Sequence, residues 1–495
     1  MAVTPREPDV VRLQVHGEYQ LRGVLQSDVP LLAPVLSPSA NSLGQKATIQ
    51  HWMRLTPRLQ IFDFAEIIGQ IDVPRGFFGD TTRWVDAARD SMVEQNPVQV
   101  DARWLYVDLW TKVGLLRVGQ QPNHFGMGMV ANDGDHPALF GDYRGGDISE
   151  RALFATRPLG AKSKLAVLVA GDIVYRDQYA RYSDGDRAYQ ALGGLVFGTE
   201  HNQVSGVFAA RHQTRDRTSI DALTPFTEAL DIRLVDVGGR FAAKAPGSAS
   251  WVFGEGEAAG TWGTTSLTRT LAETRSGDPE KVRAFAGALR FGVAHETDDD
   301  KVRYADVTAS LAFGYATGDA NPYDGTQKRF VMNPNFRVGM VLFDHVLAWK
   351  TARAATLATD PAIAGRGAPG AELLPTNGGV AGATYVNPTI VYRPVPTLDL
   401  KGGVVLATST SDVVDPYRAG ALGQIRNYDG GDPTRRDLGV ELDGGVEWRY
   451  RVDTGLTLQL GAQGGVLFPG HAFDDASGHH LGTQFLTMAR VGMQL

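Results

Sequence analysis

The first ordered feature of the sequence is a stretch in which apolar and polar residues alternate without a break. In VRLQVHGEYQLRG (Val11–Gly23), the apolar residues, a glycine and a tyrosine occupy every second position, and charged, histidine or amide side chains lie between them. An extended strand shows this period of two when its faces meet different environments. The pattern returns in LGVELDGGVEWRY (Leu438–Tyr450) and LTLQLGAQGG (Leu456–Gly465). The chain is therefore expected to consist of two-faced strands.

Short connections alternate with long ones that are rich in Asp, Gly, Asn and Pro. The short ones are TPR after Leu55, KVG after Thr111, RPLGAKS after Thr156, GTEHN after Phe197, KAPGS after Ala243, HETDDDK after Ala294, RPVPT after Tyr392 and RVDTG after Tyr450. The long ones span 26–47, 74–97, 123–146, 176–185, 215–229, 264–280, 318–384, 409–437 and 469–483. Bacterial outer-membrane barrels sort their connections in this way, with short periplasmic turns and long extracellular loops. The sequence predicts an all-β, antiparallel up-and-down transmembrane barrel of about 18 strands.

Composition is compatible with this fold and excludes several others. The chain has 495 residues, 43% of them hydrophobic, with 58 glycines, no cysteine and a net charge of −7. It has no run of about 20 apolar residues that could form a membrane-spanning helix, and no thiol for a disulfide or a thiolate metal site. The mild charge gives no support to a nucleic-acid partner. MAVTPREPDV at the start lacks an apolar segment, so a barrel would require a mature form; a soluble multi-sheet protein is the alternative.

We interpret residues 1–495 as one barrel domain with one unusual loop at 318–384. Within Arg329–Ala358, a strand-like piece (Arg337–Phe343) precedes a helix-like piece, and counting it as a spanning strand would break the even strand number. We therefore place the segment in a long extracellular loop that could fold into the lumen as a constriction or plug. Arg337 and Arg353 are the constriction candidates. An ordered surface loop is the alternative.

The polar faces of the strands carry charged side chains toward the predicted lumen. These candidate pore-lining residues are Arg12, Glu18, Arg22, Glu66, Asp108, Arg117, Arg240, Arg290, Glu441, Asp443, Glu447, Arg449 and Arg490. Guanidinium groups stay charged and hold carboxylates or phosphates with paired donors, so rows of them favour anions in a narrow aqueous pore. Alternatively, the opposite charges pair across neighbouring strands and only stiffen the wall.

Acidic loop segments provide the only metal candidates. Asp133 and Asp135 lie in NDGDHP, and Asp319 and Asp324 lie in GDANPYDG. Clustered oxygen ligands suit Ca²⁺, but neither segment matches a complete calcium loop. Solvated turns rich in Asp, Asn and Gly for backbone reasons explain them equally well. No other cofactor is expected.

Motifs for catalysis are lacking in the sequence. The eleven histidines are scattered, and neither a Gly-x-Ser-x-Gly elbow nor a His-Glu-x-x-His motif occurs. We therefore predict that the protein is not an enzyme, although residues distant in sequence could still meet at a barrel rim to form a hydrolase.

The stretch LLRVGQQPNHFGMGM (Leu115–Met129) resembles a segment of outer-membrane porins and alginate-export-type barrels, a strand with Arg117, Gly119 and Gln121 at alternate positions followed by a turn with FG. Gln120 replaces a second basic residue that the family usually has. GDYRGGDISERALF (Gly141–Phe154) and YATGDANPYDGTQKRF (Tyr315–Phe330) also look like long-loop junctions of such porins.

The resemblance implies a monomeric channel in the outer membrane of a Gram-negative bacterium, in contact with lipid and lipopolysaccharide. The expected function is passive diffusion of small, preferentially anionic solutes. Two alternatives stay open at this point, namely export of a charged polysaccharide and a plugged barrel that acts as a scaffold for surface assembly.

Overall fold

The computed structural model describes residues 11–31, 46–79, 99–141, 145–218, 225–266, 279–299, 302–321, 324–359, 375–452 and 455–495. Long antiparallel strands dominate it. They are β1 (Val11–Gln26), β2 (Lys46–Ile61), β3 (Ala65–Gly79), β4 (Gln99–Thr111), β5 (Gly114–Pro122), β6 (Ile148–Thr156), β7 (Leu165–Arg176), β8 (Arg187–Gly198), β9 (Gln203–Thr218), β10 (Pro225–Lys244), β11 (Ser250–Thr265), β12 (Glu280–Asp299), β13 (Val302–Ala316), β15 (Ala383–Val395), β16 (Leu398–Ser409), β17 (Asp437–Arg451), β18 (Thr457–Pro469) and β19 (Gln484–Gln494).

The remaining elements lie in the long loops. A two-residue strand, β14 (Thr326–Gln327), runs parallel to β12. A π-helical turn (Leu342–Leu347) continues into helix α1 (Ala348–Thr359), and helix α2 spans Pro416–Leu422. Single 3₁₀ turns occupy Tyr182–Asp184 and His471–Phe473. Among the described residues, no helix is both long and apolar enough to cross a membrane.

The eighteen long strands form one closed barrel. Each long strand pairs with its neighbours in the sequence. The short strand β14 belongs to a loop, so β13 pairs directly with β15. The barrel closes between the first and last strands, where Tyr19 lies opposite Met493 and Arg22 opposite Arg490. Closure leaves none of the long strands with an unpaired edge. The predicted antiparallel barrel of about 18 strands is confirmed.

The two faces of the wall differ in polarity in the way the alternation predicts. On β1, the outward side chains of Val11, Leu13 and Val15 are 58%, 65% and 55% exposed, whereas the inward Gln20 and Arg22 are 1% and 3% exposed. An outer surface covered by such apolar side chains fits a hydrocarbon environment rather than water. The polar face of the opening stretch therefore points into the barrel.

Aromatic pairs mark the end of the barrel that carries the short turns. Trp448 and Tyr450 stack on the outer surface with ring centroids 5.6 Å apart, and Phe62 and Phe64 stack at 6.1 Å in the β2–β3 turn. Amphipathic and aromatic side chains of this kind occupy the membrane–water interface of barrels. Trp448 and Tyr450 therefore occupy the position of an interfacial aromatic girdle.

One predicted turn is wrong. Thr56, Pro57 and Arg58 continue β2, and the chain turns at 62–64, where Phe62 has a φ of 50°. Proline normally interrupts a strand because it has no N–H to donate. Here Pro57 continues β2 and lies over Gly69 of β3, where a Cβ would be 3.4 Å from the Pro57 ring.

Other connections follow the prediction with small shifts. β12 extends to Asp299, so the turn after it is shorter than HETDDDK, and β9 and β10 extend into the predicted 215–229 loop. The strand-like piece Arg337–Phe343 is not a strand, because it ends in the π-helical turn before α1. The helix-like character of the piece that follows is confirmed.

Candidate functional site

The inner wall has an apolar part on which two long loops pack. Short inward side chains on β11–β13, among them Ala259, Ala286, Ala288 and Ala316, are buried. They belong to one apolar core with Met129 of the β5–β6 loop (residues 123–147) and with much of the β13–β15 loop (residues 317–382). Because these inward alanines are small, they leave space beside the wall. Both loops fill this space and therefore lie inside the barrel.

Glu257 on β11 fastens the β5–β6 loop to the wall. Its carboxylate accepts backbone N–H bonds from Met127 at 2.5 Å, Met129 at 3.1 Å and Val130 at 3.2 Å. Gly126 approaches the same carboxylate so closely that a Cβ would lie 2.5 Å from Oε2, and its φ of 57° suits glycine. Hydrogen bonds to a charged acceptor are stronger than neutral ones, so this is a firm attachment.

The middle of this loop, at Asp135, is held by the wall on the other side of the barrel. Asp135 pairs with Arg54 of β2 and with Arg103 of β4, the latter at 2.7 Å, and accepts a bond from Gln70 of β3 at 3.0 Å. Arg103 is fully buried. Because β2–β4 and β11 lie about half the barrel circumference apart in strand order, the β5–β6 loop crosses the lumen between Asp135 and Glu257.

The β13–β15 loop has an equivalent anchor. Glu441 on β17 accepts backbone N–H bonds from Met340, Val341 and Leu342 at 2.5, 2.7 and 2.8 Å. The glutamate is completely buried under them. Asp443 reaches the same region, since a Cβ on Gly465 would lie 2.5 Å from its Oδ1 and 3.3 Å from Glu441 Oε1. Glu441 and Asp443, two of the candidate pore-lining residues, thus lie beneath a loop.

The two loops also contact each other. The Asn333 backbone N–H donates to the Met129 carbonyl at 2.7 Å, and its side-chain amide donates to Asp147 Oδ2 at 2.8 Å. Of the two constriction candidates, Arg337 is buried 3.6 Å from Asp344 and lies against Gly141 of the β5–β6 loop. Arg353 lies on α1, where burial lowers its pKa.

Arginine–carboxylate pairs line the wall on β4–β7. Arg117 forms a bidentate pair with Asp108 at 2.6 and 2.7 Å, as the alternative of cross-strand pairing expects. Arg151 pairs with Asp172 in the same geometry at 2.7 and 2.6 Å. Two-point pairs of this kind fix the guanidinium plane. These arginines therefore stiffen the wall as well as line it.

Near the periplasmic turns, four cations share two carboxylates. Glu447 accepts from Lys401 at 2.9 Å, from Arg490 at 2.5 Å and from Arg449 at 3.2 Å. Arg449 also reaches Asp399 at 2.6 Å. The members of this basic cluster are Arg393, Lys401, Arg449, Arg490, Asp399 and Glu447. It carries more positive than negative charge.

The remaining candidates occupy the inner face at other points. Arg22 donates to Gln20 at 2.9 and 2.8 Å and lies 4.9 Å from the Trp52 ring centroid. Glu18 accepts a bond from Gln20. Arg290 pairs with Glu255. By strand register, three further candidates share the inner face, namely Arg12 opposite Gln60, Glu66 opposite Asp108, and Arg240 opposite Glu255.

The four calcium candidates already hold protein donors. Asp135 is bound by the wall as described. Asp319 accepts the amides of Asn321 and Lys328, both at 3.0 Å, and Asp324 pairs with the Lys328 ammonium at 2.6 Å. Asp133 accepts from His136 at 2.9 Å. Asp319 and Asp324 thus have the local hydrogen bonds of a solvated turn, Asp135 belongs to the ion pairs of the wall, and Asp133 lies beside imidazoles.

Several residues of this arrangement were not among the sequence candidates. Glu257 could have been found, because it shares the inward parity of Glu255 on β11. Arg103 could not have been found from the sequence. Arg103 and Trp104 both point inward because the pairing of β3 and β4 shifts between Gln70 and Ile71. Such a bulge reverses the alternation of inward and outward residues, and no feature of the sequence indicates it.

The molecule has the architecture of an outer-membrane porin, a closed 18-strand barrel with loops folded inside. OccK9 (OpdG) of Pseudomonas aeruginosa shares this fold with a TM-score of 0.51 and 10% identity, over 97% of this chain and 98% of that one. OccK2 (OpdF) of the same organism gives 0.50 and 9% identity over 98% and 97%. No family model matches the chain, and no curated protein matches its sequence.

Proposed function

We propose that the protein is an outer-membrane channel for passive diffusion of small anionic solutes. A barrel of about 18 strands encloses an aqueous passage unless loops fill it. The loops pack on the apolar wall of β11–β13 and cover Glu441 on β17, and the charged side chains that they leave uncovered face the remaining space. Solutes would pass arginine and carboxylate side chains there.

The basic cluster carries the proposed anion preference. Its four cations and two carboxylates leave an excess of positive charge at the periplasmic end of β15–β19. Charged side chains at a narrow aqueous passage set which ion enters more readily. On the rest of the inner wall, positive and negative side chains are mixed and paired. This mixture favours a small solute over a uniformly charged polymer as the transported molecule.

The first test is electrical. Purified protein in a planar bilayer is expected to give discrete conductance steps and, in a salt gradient, a reversal potential biased toward anions. Replacing chloride with glucuronate in the same recording measures whether an organic anion passes. A cation-biased reversal potential would contradict the proposed preference.

Replacing two members of the basic cluster should weaken that preference. R449Q/R490Q leaves Arg393 and Lys401 opposite two carboxylates, so the excess charge disappears. A unit charge ~8 Å from a solute in water contributes about 0.5 kcal/mol before screening, and physiological salt removes more than half of this. We expect the anion-to-cation permeability ratio to fall roughly threefold. R435Q is the control, because Arg435 is exposed on an extracellular loop.

A plugged barrel is the second candidate, since the two loops and the apolar wall share one core. It predicts no conductance from correctly folded protein. A silent bilayer, with folding confirmed by heat-modifiable migration on a gel, would favour a role in surface assembly over transport.

A further inference from the structure

Two imidazoles and a carboxylate converge in the β5–β6 loop where it crosses the lumen. His136 Nδ1 lies 2.9 Å from Asp133 Oδ1, and His124 Nδ1 lies 3.7 Å from the same oxygen. The two rings stack with centroids 3.9 Å apart. The three potential ligand atoms lie within 4.8 Å of one another. No part of the proposed channel function uses this cluster.

The loop backbone holds these residues together. The Phe125 N–H donates to the Ala131 carbonyl at 3.1 Å, and the Asp147 N–H donates to the Asn132 carbonyl at 2.8 Å. Gly146 permits this approach, because a Cβ there would overlap the backbone of Asp133. His124 and Asp133, nine positions apart in sequence, are therefore positioned by main-chain contacts rather than by their own interaction.

One nitrogen of His124 is buried beside the carboxylate of this cluster. Its Nδ1 is shielded from solvent and makes no hydrogen bond of ordinary geometry. Buried polar atoms nearly always have a partner, so an exception calls for an explanation. This nitrogen faces the carboxylate to which His136 already binds.

We propose that His124, Asp133 and His136 form a binding site for a divalent transition metal such as Zn²⁺. Two imidazole nitrogens and one carboxylate oxygen are typical zinc ligands, and with bonds of about 2.0–2.1 Å tetrahedral ligand atoms lie roughly 3.3–3.5 Å apart. The two nitrogen–oxygen distances of 2.9 and 3.7 Å bracket that separation, and all three ligand atoms lie within 4.8 Å of one another. His136 is 61% exposed, so water can complete the coordination. Ca²⁺, which takes six to eight oxygen ligands, fits this set poorly.

Metal at this site would join the two sides of the loop. Asp133 is two residues from Asp135, which the β2–β4 wall holds, and His124 precedes the segment that Glu257 holds. A bound ion would close the loop between these attachments and place positive charge beside the passage.

A second His–Asp–His cluster must be removed before the site can be measured. In the extracellular loop after β18, His471 and His480 contact Asp474 at 3.1 and 2.7 Å. These histidines are exposed and lie apart from the β5–β6 loop. We therefore use H471A/H480A as the background.

The test is calorimetric titration of Zn²⁺ into the full chain, purified in detergent and freed of metal by a chelator. The background variant should bind one equivalent, and adding H124A or H136A should weaken that binding by at least about 100-fold. H201A, in an exposed periplasmic turn, should change nothing. Substitution by Co²⁺ supplies a second readout, because the visible absorption of the bound ion should appear in the background variant and vanish with H124A.

Loss of the loop structure is distinguishable from loss of a ligand. His136 is exposed, so H136A should leave heat-modifiable migration and conductance without metal unchanged while abolishing the absorption. The proposal is overturned if the background variant binds no Zn²⁺, or if H124A and H136A both bind it with unchanged affinity. Neither of these binding results tests channel conductance. The metal-site proposal and the channel proposal can therefore each be contradicted without the other.

Discussion

Replacing Glu441 with alanine is expected to release the β13–β15 loop from the barrel wall. The substitution leaves the N–H groups of Met340, Val341 and Leu342 without their acceptor. Hydrogen bonds to a charged group contribute about 1.5–3 kcal/mol each, so three of them amount to roughly 4.5–9 kcal/mol. The loop should then leave the lumen, raising single-channel conductance and exposing Lys350 and Arg353 to trypsin.

Limited trypsin digestion and planar-bilayer recording measure this release. E441Q retains one carbonyl acceptor and should give an intermediate cleavage rate. E255A is the matched control, because Glu255 points inward but pairs with Arg290 on the neighbouring strand. If E441A has the cleavage pattern and conductance of the native protein, Glu441 does not hold the loop.

Replacing Arg103 with methionine should detach the other loop from the β2–β4 wall. Arg103 is fully buried and donates to Asp135, to Gln70 and to the Asp133 carbonyl. Removing one partner of a buried ion pair typically costs about 3–5 kcal/mol, because the other charge is left uncompensated. We expect a lower temperature of heat-modifiable migration and greater noise in the open-channel current.

A double variant shows how much of the lost stability comes from the unpaired charge of Asp135 and how much from lost packing. R103M/D135N removes both charges and should recover part of the lost stability, since residues in one network are not additive. R157M, at an exposed periplasmic turn, should behave as the native protein. Equal stability of R103M and the native protein would show that Arg54 and Gln70 hold Asp135 without help.

The sequence by itself determined the class of fold. A strand whose faces meet lipid and water must alternate, and loops on the two sides of a membrane differ in length. Both signals are local, so they can be read from stretches such as Val11–Gly23 and from the spacing of the turns. The inward parity of Arg117, Glu447 and Arg449 follows from the same period of two.

The positions of the charges within the lumen needed the tertiary structure. A bulge between β3 and β4 brings Arg103 and Trp104 to the same side, and a period of two cannot predict where such a bulge falls. Pro57 lies within β2 and against Gly69 of β3, which the spacing of the turns does not show. The position of each of these residues depends on a neighbouring strand, either through a contact with a residue distant in the sequence or through the register of the pairing.

The same reason explains why Glu441 and Glu257 were not recognisable as loop anchors. Parity assigns both to the inner face, where a carboxylate could meet water, an arginine or a backbone amide. The loops that bind them begin and end more than 50 residues away in the sequence, and the small side chains of Ala286 and Ala288 decide that these loops pack inside. Alternation determined which face each residue occupies, and only the folded barrel decided what it meets there.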